Sequence, residues 1–214
     1  MGIAEKDFVE LEYTGKLVED NTIFDTTDEN IAKKSGLFNQ QAKYGPQIIC
    51  VGERQILPGL EEAIKWKNLG KIEVKLTAEK AFGKKDAKLI QLIPTKKFLD
   101  AKIRPMPGLQ VNVDGALGLV RTVSGGRTIV DFNHPLSGKD VVYEVNIKRK
   151  VTEEKEQVES IVRTMLGDAK VVYKEGTATI ATKKLPDPMK QAIEKHITKL
   201  TKAKKVEFKE EGKA

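Results

Sequence analysis

The chain has 214 residues, a net charge of +7 and 39% hydrophobic residues, a composition typical of a soluble globular protein of one to three domains. No stretch approaches the roughly 18 consecutive apolar residues that a membrane-spanning helix needs, so we expect a cytoplasmic protein with no membrane partner. The single cysteine, Cys50, excludes an intrachain disulfide, and its aliphatic neighbours favour a buried thiol over a nucleophile.

The first 85 residues predict strands packed around one short helix. Phe8–Tyr13 alternates apolar and polar side chains, as a strand with one buried face does. Residues 30–44 are polar and broken by glycine, so they predict an irregular loop. Pro58 suits the first position of a helix, which we expect to run to Trp66. The remaining expected strands lie at 22–24, 48–51 and 71–77.

A second series of strands begins near Ala87 and has turn signals of its own. Asp114-Gly115 and Ser124-Gly125-Gly126 are typical of tight hairpin turns. Thr95 is expected to cap a single helical turn. Residues 86–130 therefore predict a small β domain inserted in a larger one. The expected strands of this part of the chain lie at 110–113, 116–123, 127–132 and 141–147.

The C-terminal third changes to an α-β-β-α-β pattern. Apolar residues at helical spacing stop at Gly167. Two strands, with a turn at Glu175-Gly176, separate this helix from a second one that begins at Asp187. A last strand begins at Lys205. We expect residues 153–214 to form an independent module whose open sheet or second helix offers a surface for a homodimer.

Several short motifs together carry a resemblance to a known family. They are Tyr13-Thr-Gly15, Phe24-Asp-Thr-Thr27, Val51-Gly52, Ile56-Leu-Pro-Gly-Leu-Glu-Glu-Ala63, Ala81-Phe-Gly83 and Val142-Tyr-Glu-Val145. This set resembles the FKBP-type peptidyl-prolyl cis-trans isomerases. Phe132–Gly138 and the insert before it resemble the insert-in-flap domain of SlyD-like members, and the C-terminal module is similar to that of the long archaeal type.

The resemblance implies an α+β fold in which an FKBP-like antiparallel half-barrel sheet wraps on a short helix. It implies a discontinuous isomerase domain at 1–85 and 131–152, an insert-in-flap chaperone domain at 86–130, and the C-terminal α+β module at 153–214. The implied activity is isomerisation of X-Pro bonds in unfolded, nascent or folding polypeptides, without a cofactor. A holdase chaperone with a degenerate, non-catalytic pocket is the alternative.

The family's pocket, carried over to this sequence, combines aromatic and aliphatic side chains with one carboxylate. The implied residues are Tyr13, Phe24, Asp25, Ile56, Leu57, Leu60, Phe82 and Tyr143. The Leu57 N–H is implied to bond a substrate carbonyl. Leu60 and Phe82 depart from the tryptophan and tyrosine that many members carry, and Gln47 stands near an often aromatic position. We therefore expect weaker binding of macrolide-type ligands and short peptides.

Asp25 is the one ionisable side chain that we expect in this pocket. Our hypothesis is that Asp25 accepts a hydrogen bond from the Tyr13 hydroxyl and polarises the region around the substrate carbonyl. From the residues alone, a turn or cap at Thr26-Thr27 is the favoured role for this aspartate. The family resemblance reverses that preference.

The insert carries many apolar residues for so small a unit. We expect some of them to stay exposed and to hold unfolded chains, because exposed apolar patches mark binding surfaces and methionine suits promiscuous contacts. A tightly packed small core is the competing interpretation. The residues concerned are Leu89, Ile90, Leu92, Ile93, Phe98, Leu99, Ile103, Met106 and Leu109.

Other chemistries have little support in the sequence. His134 and His196 are far apart, so no metal site is predicted, and one cysteine with two histidines offers no persuasive triad. Ser124–Arg127 lacks the spacing of a phosphate-binding loop. Basic residues mostly alternate with acidic ones, so no nucleic-acid partner is expected, with an RNA- or ribosome-associated factor as a further alternative.

Overall fold

The computed structural model describes residues 2–210, which form an α+β fold of mostly antiparallel sheets and a few short helices. The helices are α1 (Glu29–Lys34), α2 (Pro58–Ile64), α3 (Thr95–Asp100), α4 (Glu154–Leu166) and α5 (Asp187–Leu200). The strands are β1 (Phe8–Leu17), β2 (Ile23–Thr26), β3 (Gln47–Cys50), β4 (Gly70–Leu76), β5 (Ile90–Pro94), β6 (Gln110–Val113), β7 (Ala116–Ser124), β8 (Arg127–Asp131), β9 (Val141–Lys150), β10 (Lys170–Lys174), β11 (Thr177–Thr182) and β12 (Lys205–Glu210). Short 3₁₀ turns lie at Ala78–Lys80 and Ala87–Leu89.

The N-terminal sheet has the strand order β2-β1-β9-β4, and β3 also pairs with β1. The prediction of an irregular loop at 30–44 is wrong for its first residues, which belong to α1. The Asp28 carboxylate accepts hydrogen bonds from the Asn30 and Ile31 N–H groups, which stabilises the first turn of this helix. Helix α2 is also shorter than expected, because Lys65 is extended and Trp66 has a left-handed φ of 67°.

The insert contains a four-stranded antiparallel sheet with the order β5-β8-β7-β6. Both predicted hairpins are confirmed: Asp114 and Gly115 have φ values of 52° and 87°, and Gly125 and Gly126 have values of 55° and 73°. The predicted cap at Thr95 is wrong. Thr95 is the first residue of α3, and its hydroxyl bonds that of Thr128 at 3.0 Å.

The C-terminal α-β-β-α-β order is confirmed, with β11 antiparallel to β10 and parallel to β12. The expectation of an independent module is wrong in one respect. Its buried residues, such as Ile161 and Ile180, belong to the same hydrophobic core as Phe8 and Cys50. The additional segment therefore depends on the N-terminal sheet for part of its core.

The described residues divide into two compact units, one of 2–16, 21–74 and 142–210 and one of 17–20 and 75–141. The predicted domain boundaries stay a prediction, and residues 211–214 of the predicted module lie outside the described part. Within residues 2–210, no helix combines the length and the apolar character needed to span a bilayer.

Candidate functional site

Strands β1 and β2 place Tyr13, Phe24 and Asp25 close together. The Tyr13 N–H donates to Thr27 Oγ1 at 2.9 Å, and the Thr27 N–H donates to the Tyr13 carbonyl at 3.0 Å. Gly15 lies opposite Asp25, and the pairing register shifts directly after Gly15. Such an irregularity increases local strand twist next to the three side chains.

Aromatic side chains from three strands, β1, β2 and β9, pack together beside Gly15. A Cβ atom at Gly15 would lie 2.8 Å from the Phe24 ring and 2.9 Å from the Tyr143 ring, which is closer than real Cβ contacts allow. The Tyr143 ring packs edge-on against Phe24, with centroids 5.7 Å apart, and against Tyr13 at 5.8 Å. The glycine of the Tyr-Thr-Gly motif therefore makes room for this aromatic cluster.

Asp25 and Tyr13 form a half-buried hydrogen-bonded pair. Burial raises the pKa of Asp25, while hydrogen bonds from the Tyr13 hydroxyl and the Thr26 N–H act in the opposite direction. Burial, followed by the charge and hydrogen bond of Asp25, raises the pKa of Tyr13 to about 12. The expected hydrogen bond is present, and Asp25 also accepts from the backbone at Thr26. Both interpretations of this aspartate are thus compatible.

The loop that carries Ile56 is held from inside the protein. The Glu61 side chain, only 6% exposed, accepts hydrogen bonds from the N–H groups of Gly52 (2.7 Å) and Arg54 (3.3 Å). Gln55 Oε1 accepts one from the Cys50 N–H at 2.7 Å. Gly52 needs its φ of +101°, which L side chains rarely adopt. Together these contacts fix the chain on both sides of Ile56.

A cavity of about 520 Å³ lies in the first unit beside these elements. Its lining includes four of the predicted site residues: Tyr13, Phe24, Asp25 and Ile56. Cavities of this size are common for ligand sites. The lining residues in the described part of the chain include no cysteine, serine or histidine.

The other four predicted site residues have different places. Leu60 and Tyr143 are 2% and 3% exposed, so they support the site from within the core. Leu57 is half-buried and precedes the first residue of α2. Phe82 belongs to the second unit, where its ring stacks on His134 with centroids 5.0 Å apart and the Ser137 hydroxyl donates to its carbonyl at 3.1 Å. Its role in the site stays a prediction.

A large part of the cavity wall consists of residues that were not predicted from the sequence. Leu37, Ala42 and Tyr44 line the cavity from the segment interpreted as a polar loop, and Thr164 lines it from α4. The Asp28 cap signal and the aromatic residues near Tyr44 were available in the sequence. Thr164 carried no such signal, because its position depends on how α4 packs on β3.

The nine apolar residues assigned to substrate holding fall into two groups. Ile93 and Phe98 are buried in the core of the insert, and Ile103 and Leu109 are half-buried and pack against it, so these four are not among the residues that stay exposed. Their role in substrate holding stays a prediction. Five others are exposed: Leu89, Ile90, Leu92, Leu99 and Met106. Leu117, at 65% exposure, is a further exposed residue that the sequence analysis missed.

Cys50 is a buried thiol, and His196 lies beside a glutamate. Burial, with the charges of Glu53 and Glu61, raises the pKa of the Cys50 thiol to about 12, so the thiolate that a nucleophile needs is scarce at neutral pH. The half-buried His196 lies 3.8 Å from Glu53. Among residues 2–210 there is no group of three or more His, Cys, Asp or Glu side chains arranged to hold a metal ion.

Comparison with known proteins identifies the family. Residues 2–104 match the model described as FKBP-type peptidyl-prolyl cis-trans isomerase. The short-type peptidyl-prolyl cis-trans isomerase of Methanocaldococcus jannaschii is 30% identical over 147 residues, which are 68% of this chain and 92% of the relative. The chain belongs to the FKBP-type peptidyl-prolyl cis-trans isomerase family.

Other members of the FKBP family are similar to this chain over alignments of different length. The FKBP-type isomerase SlyD of Aeromonas hydrophila is 29% identical over 160 residues, covering 69% of this chain and 64% of the relative. The 16 kDa FKBP-type isomerase of Escherichia coli K12 is 29% identical over 107 residues, which are 48% of this chain and 72% of the relative. Residues 91–136 match the model described as FKBP26, IF domain.

We predict that the Asp25 carboxyl titrates above the ordinary aspartate range, and that Tyr13→Phe raises its pKa further because a hydrogen bond to the carboxylate is lost. Since the folded state then binds the proton more tightly than the unfolded chain, the contribution of Asp25 to the free energy of unfolding decreases as pH rises from its unfolded pKa through the folded one. NMR titration of the carboxyl carbon measures both effects. A midpoint below the ordinary aspartate value would contradict the burial argument.

Proposed function

We propose that this chain catalyses cis-trans isomerisation of X-Pro peptide bonds in the cavity bordered by Tyr13, Phe24, Asp25 and Ile56. The observation that supports this most directly is the convergence of these four side chains on one cavity in a chain of the FKBP family. The uncatalysed bond exchanges in tens to hundreds of seconds, slowly enough to limit folding.

The barrier to rotation arises from amide resonance and amounts to about 18–20 kcal/mol. At the perpendicular geometry the resonance is broken and the charge separation of the planar amide is reduced. A site walled by Phe24, Ile56 and the aromatic cluster disfavours the polar planar form relative to the twisted form. Catalysis then follows from stronger binding of the twisted state, without proton transfer or a covalent intermediate.

Asp25 is proposed to act through its position and charge. Its carboxylate is the ionisable acidic group of the cavity lining, and its hydrogen bond with Tyr13 orients both side chains. The Leu57 N–H is proposed to donate to a substrate carbonyl, and none of the hydrogen bonds of residues 2–210 uses this group. Together these groups orient a substrate whose proline ring lies against apolar side chains.

We expect the chain to accelerate exchange of a proline tetrapeptide and Asp25→Leu to lower kcat/KM by about tenfold or more, because the orienting carboxylate is lost. Exchange NMR measures the rate. Asp187→Leu, at the exposed start of α5, is the matched control and should retain full turnover. Peptide binding without turnover would favour the holdase alternative, and full turnover of a folded Asp25→Leu variant would exclude the role given to Asp25.

We further propose that the insert holds unfolded polypeptides. One face of its sheet packs on α3 through Ile93, Phe98 and Val130. The alternation of the strands turns Ile90 and Leu92 to the other face, where Leu92 is 56% exposed. Leu117 lies on the same face by register, so the open face presents apolar side chains from both β5 and β7. Such a face fits apolar segments of client chains.

We predict that the double variant Leu92→Gln/Leu117→Gln loses most of its ability to suppress aggregation of an unfolded protein, because the apolar face becomes polar. Turnover of a tetrapeptide should be unchanged. Leu69→Gln, which changes an equally exposed leucine outside the insert, serves as the control. Undiminished suppression of aggregation by the double variant would show that unfolded chains bind elsewhere.

We also propose the class of substrate, the oligomeric state and the cellular location of this protein. Protein substrates are expected for the family, and unfolded proline-containing chains are our proposal for this member. A homodimer through the C-terminal module is supported by Val172 on β10 and Met189 on α5, which are both exposed. Sedimentation at only 23.8 kDa would contradict the dimer. The single cysteine supports the proposed cytoplasmic location.

A further inference from the structure

The C-terminal segment contributes to the wall of the proposed isomerase cavity. Thr164 on α4 lines the same cavity as Tyr13 and Asp25. Its hydroxyl donates to the Ser160 carbonyl at 3.0 Å, which fixes the side chain and leaves its oxygen available as an acceptor. Thr164 lies outside the residues matched by the two family models, 2–104 and 91–136. This part of the wall is therefore additional to the matched family ranges.

A second depression, of about 250 Å³, continues from this point along α4. It shares Gln47, Ile48 and Thr164 with the first cavity and extends to Glu156 and Arg163. The helix axis from Glu156 to Thr164 is about 12 Å long, which matches about four residues of an extended chain. The two depressions together form a groove between β3 and α4.

Strand β3 presents a free backbone edge to this groove. It pairs with β1 on one side, and the Cys50 N–H donates instead to Gln55, a cavity-lining residue. In an antiparallel pair the outward direction repeats every second residue, so the N–H and C=O of Ile48 also point to the cavity side. An extended peptide is the ligand that uses such an edge.

The charges along the groove are unequally compensated. Glu156 is held by Arg149 through two hydrogen bonds of 2.8 and 2.9 Å, and Glu159 lies 3.6 Å from Lys155. Arg163 is exposed and forms no ion pair with another residue in the described range 2–210. The groove thus offers an available guanidinium beside two carboxylates that already have cationic partners.

We propose that β3 and α4 form a groove that holds the polypeptide beside its X-Pro bond in an extended conformation, and that Arg163 makes this groove prefer an acidic residue there. The proposal rests on the isomerase function proposed above and adds a subsite to it. Lys43, which pairs with Asp168 just beyond α4, connects the cavity-lining loop to the same helix. The C-terminal segment is then part of the substrate-binding surface.

The test uses the full chain and a proline tetrapeptide lengthened by about four residues on either flank, with Glu or Gln in the added part. Exchange NMR gives kcat/KM, and NMR titration gives Kd. We expect one flank to show a Glu preference of about two- to fivefold, the strength of an exposed ion pair. Arg163→Gln should remove this preference, Arg163→Lys should retain part of it, and high salt should weaken it.

Lys174→Gln, which removes the positive charge of an exposed residue at the end of β10, should leave the preference intact. Equal values for the Glu and Gln peptides on both flanks, or an unchanged preference in Arg163→Gln, would overturn the groove proposal. Turnover of the unextended tetrapeptide reports separately on the isomerase proposal. If turnover is absent, the difference in Kd between the Glu and Gln peptides still decides whether the groove binds the flanking residues.

Discussion

The packing of aromatic rings against Gly15 is the constraint on which the site depends. Phe24 from β2 and Tyr143 from β9 approach the backbone of β1 at a distance that no side chain at this position would permit. The resulting cluster fixes the pairing of three strands and supports the wall of the cavity. The glycine of the Tyr13-Thr-Gly15 motif thus meets a packing requirement within a strand.

The same arrangement shows how a carboxylate is accommodated beside aromatic and aliphatic side chains in a wall of mixed polarity. Asp25 is partly removed from water, which raises its pKa, and the hydrogen bonds from Tyr13 and Thr26 offset part of that effect. The site therefore combines apolar surface with an oriented carboxyl group. This combination suits a reaction that requires no nucleophile and benefits from weak solvation of the substrate amide.

Features coded by local sequence were predictable. Asp114-Gly115, Gly125-Gly126 and Glu175-Gly176 specify their turns through the left-handed backbone that they accept, and Gly167 ends α4 as expected. Tyr13, Phe24, Asp25 and Ile56 were recognisable through family motifs. Their convergence on one cavity depends on the pairing of β1 with β2 and on the Glu61 contacts that hold the loop before Ile56.

Features that depend on long-range packing were not predictable. Alternation within β5 does not show which of Leu92 and Ile93 faces the core, since this depends on where α3 packs. The core shared by Phe8, Cys50 and Ile161, and the contribution of Thr164 to the cavity, both arise from contact between segments far apart in sequence. These contacts connect the C-terminal segment to the proposed substrate site.

The central claim is that the cavity accelerates rotation about the X-Pro peptide bond by stabilising the twisted amide, without proton transfer in the transition state. The most direct measurement is kcat/KM for a proline tetrapeptide in H2O and in D2O at matched acidity. We expect a ratio close to one, because no O–H or N–H bond is broken in the transition state. A ratio above about two would indicate general acid–base catalysis and would contradict the account.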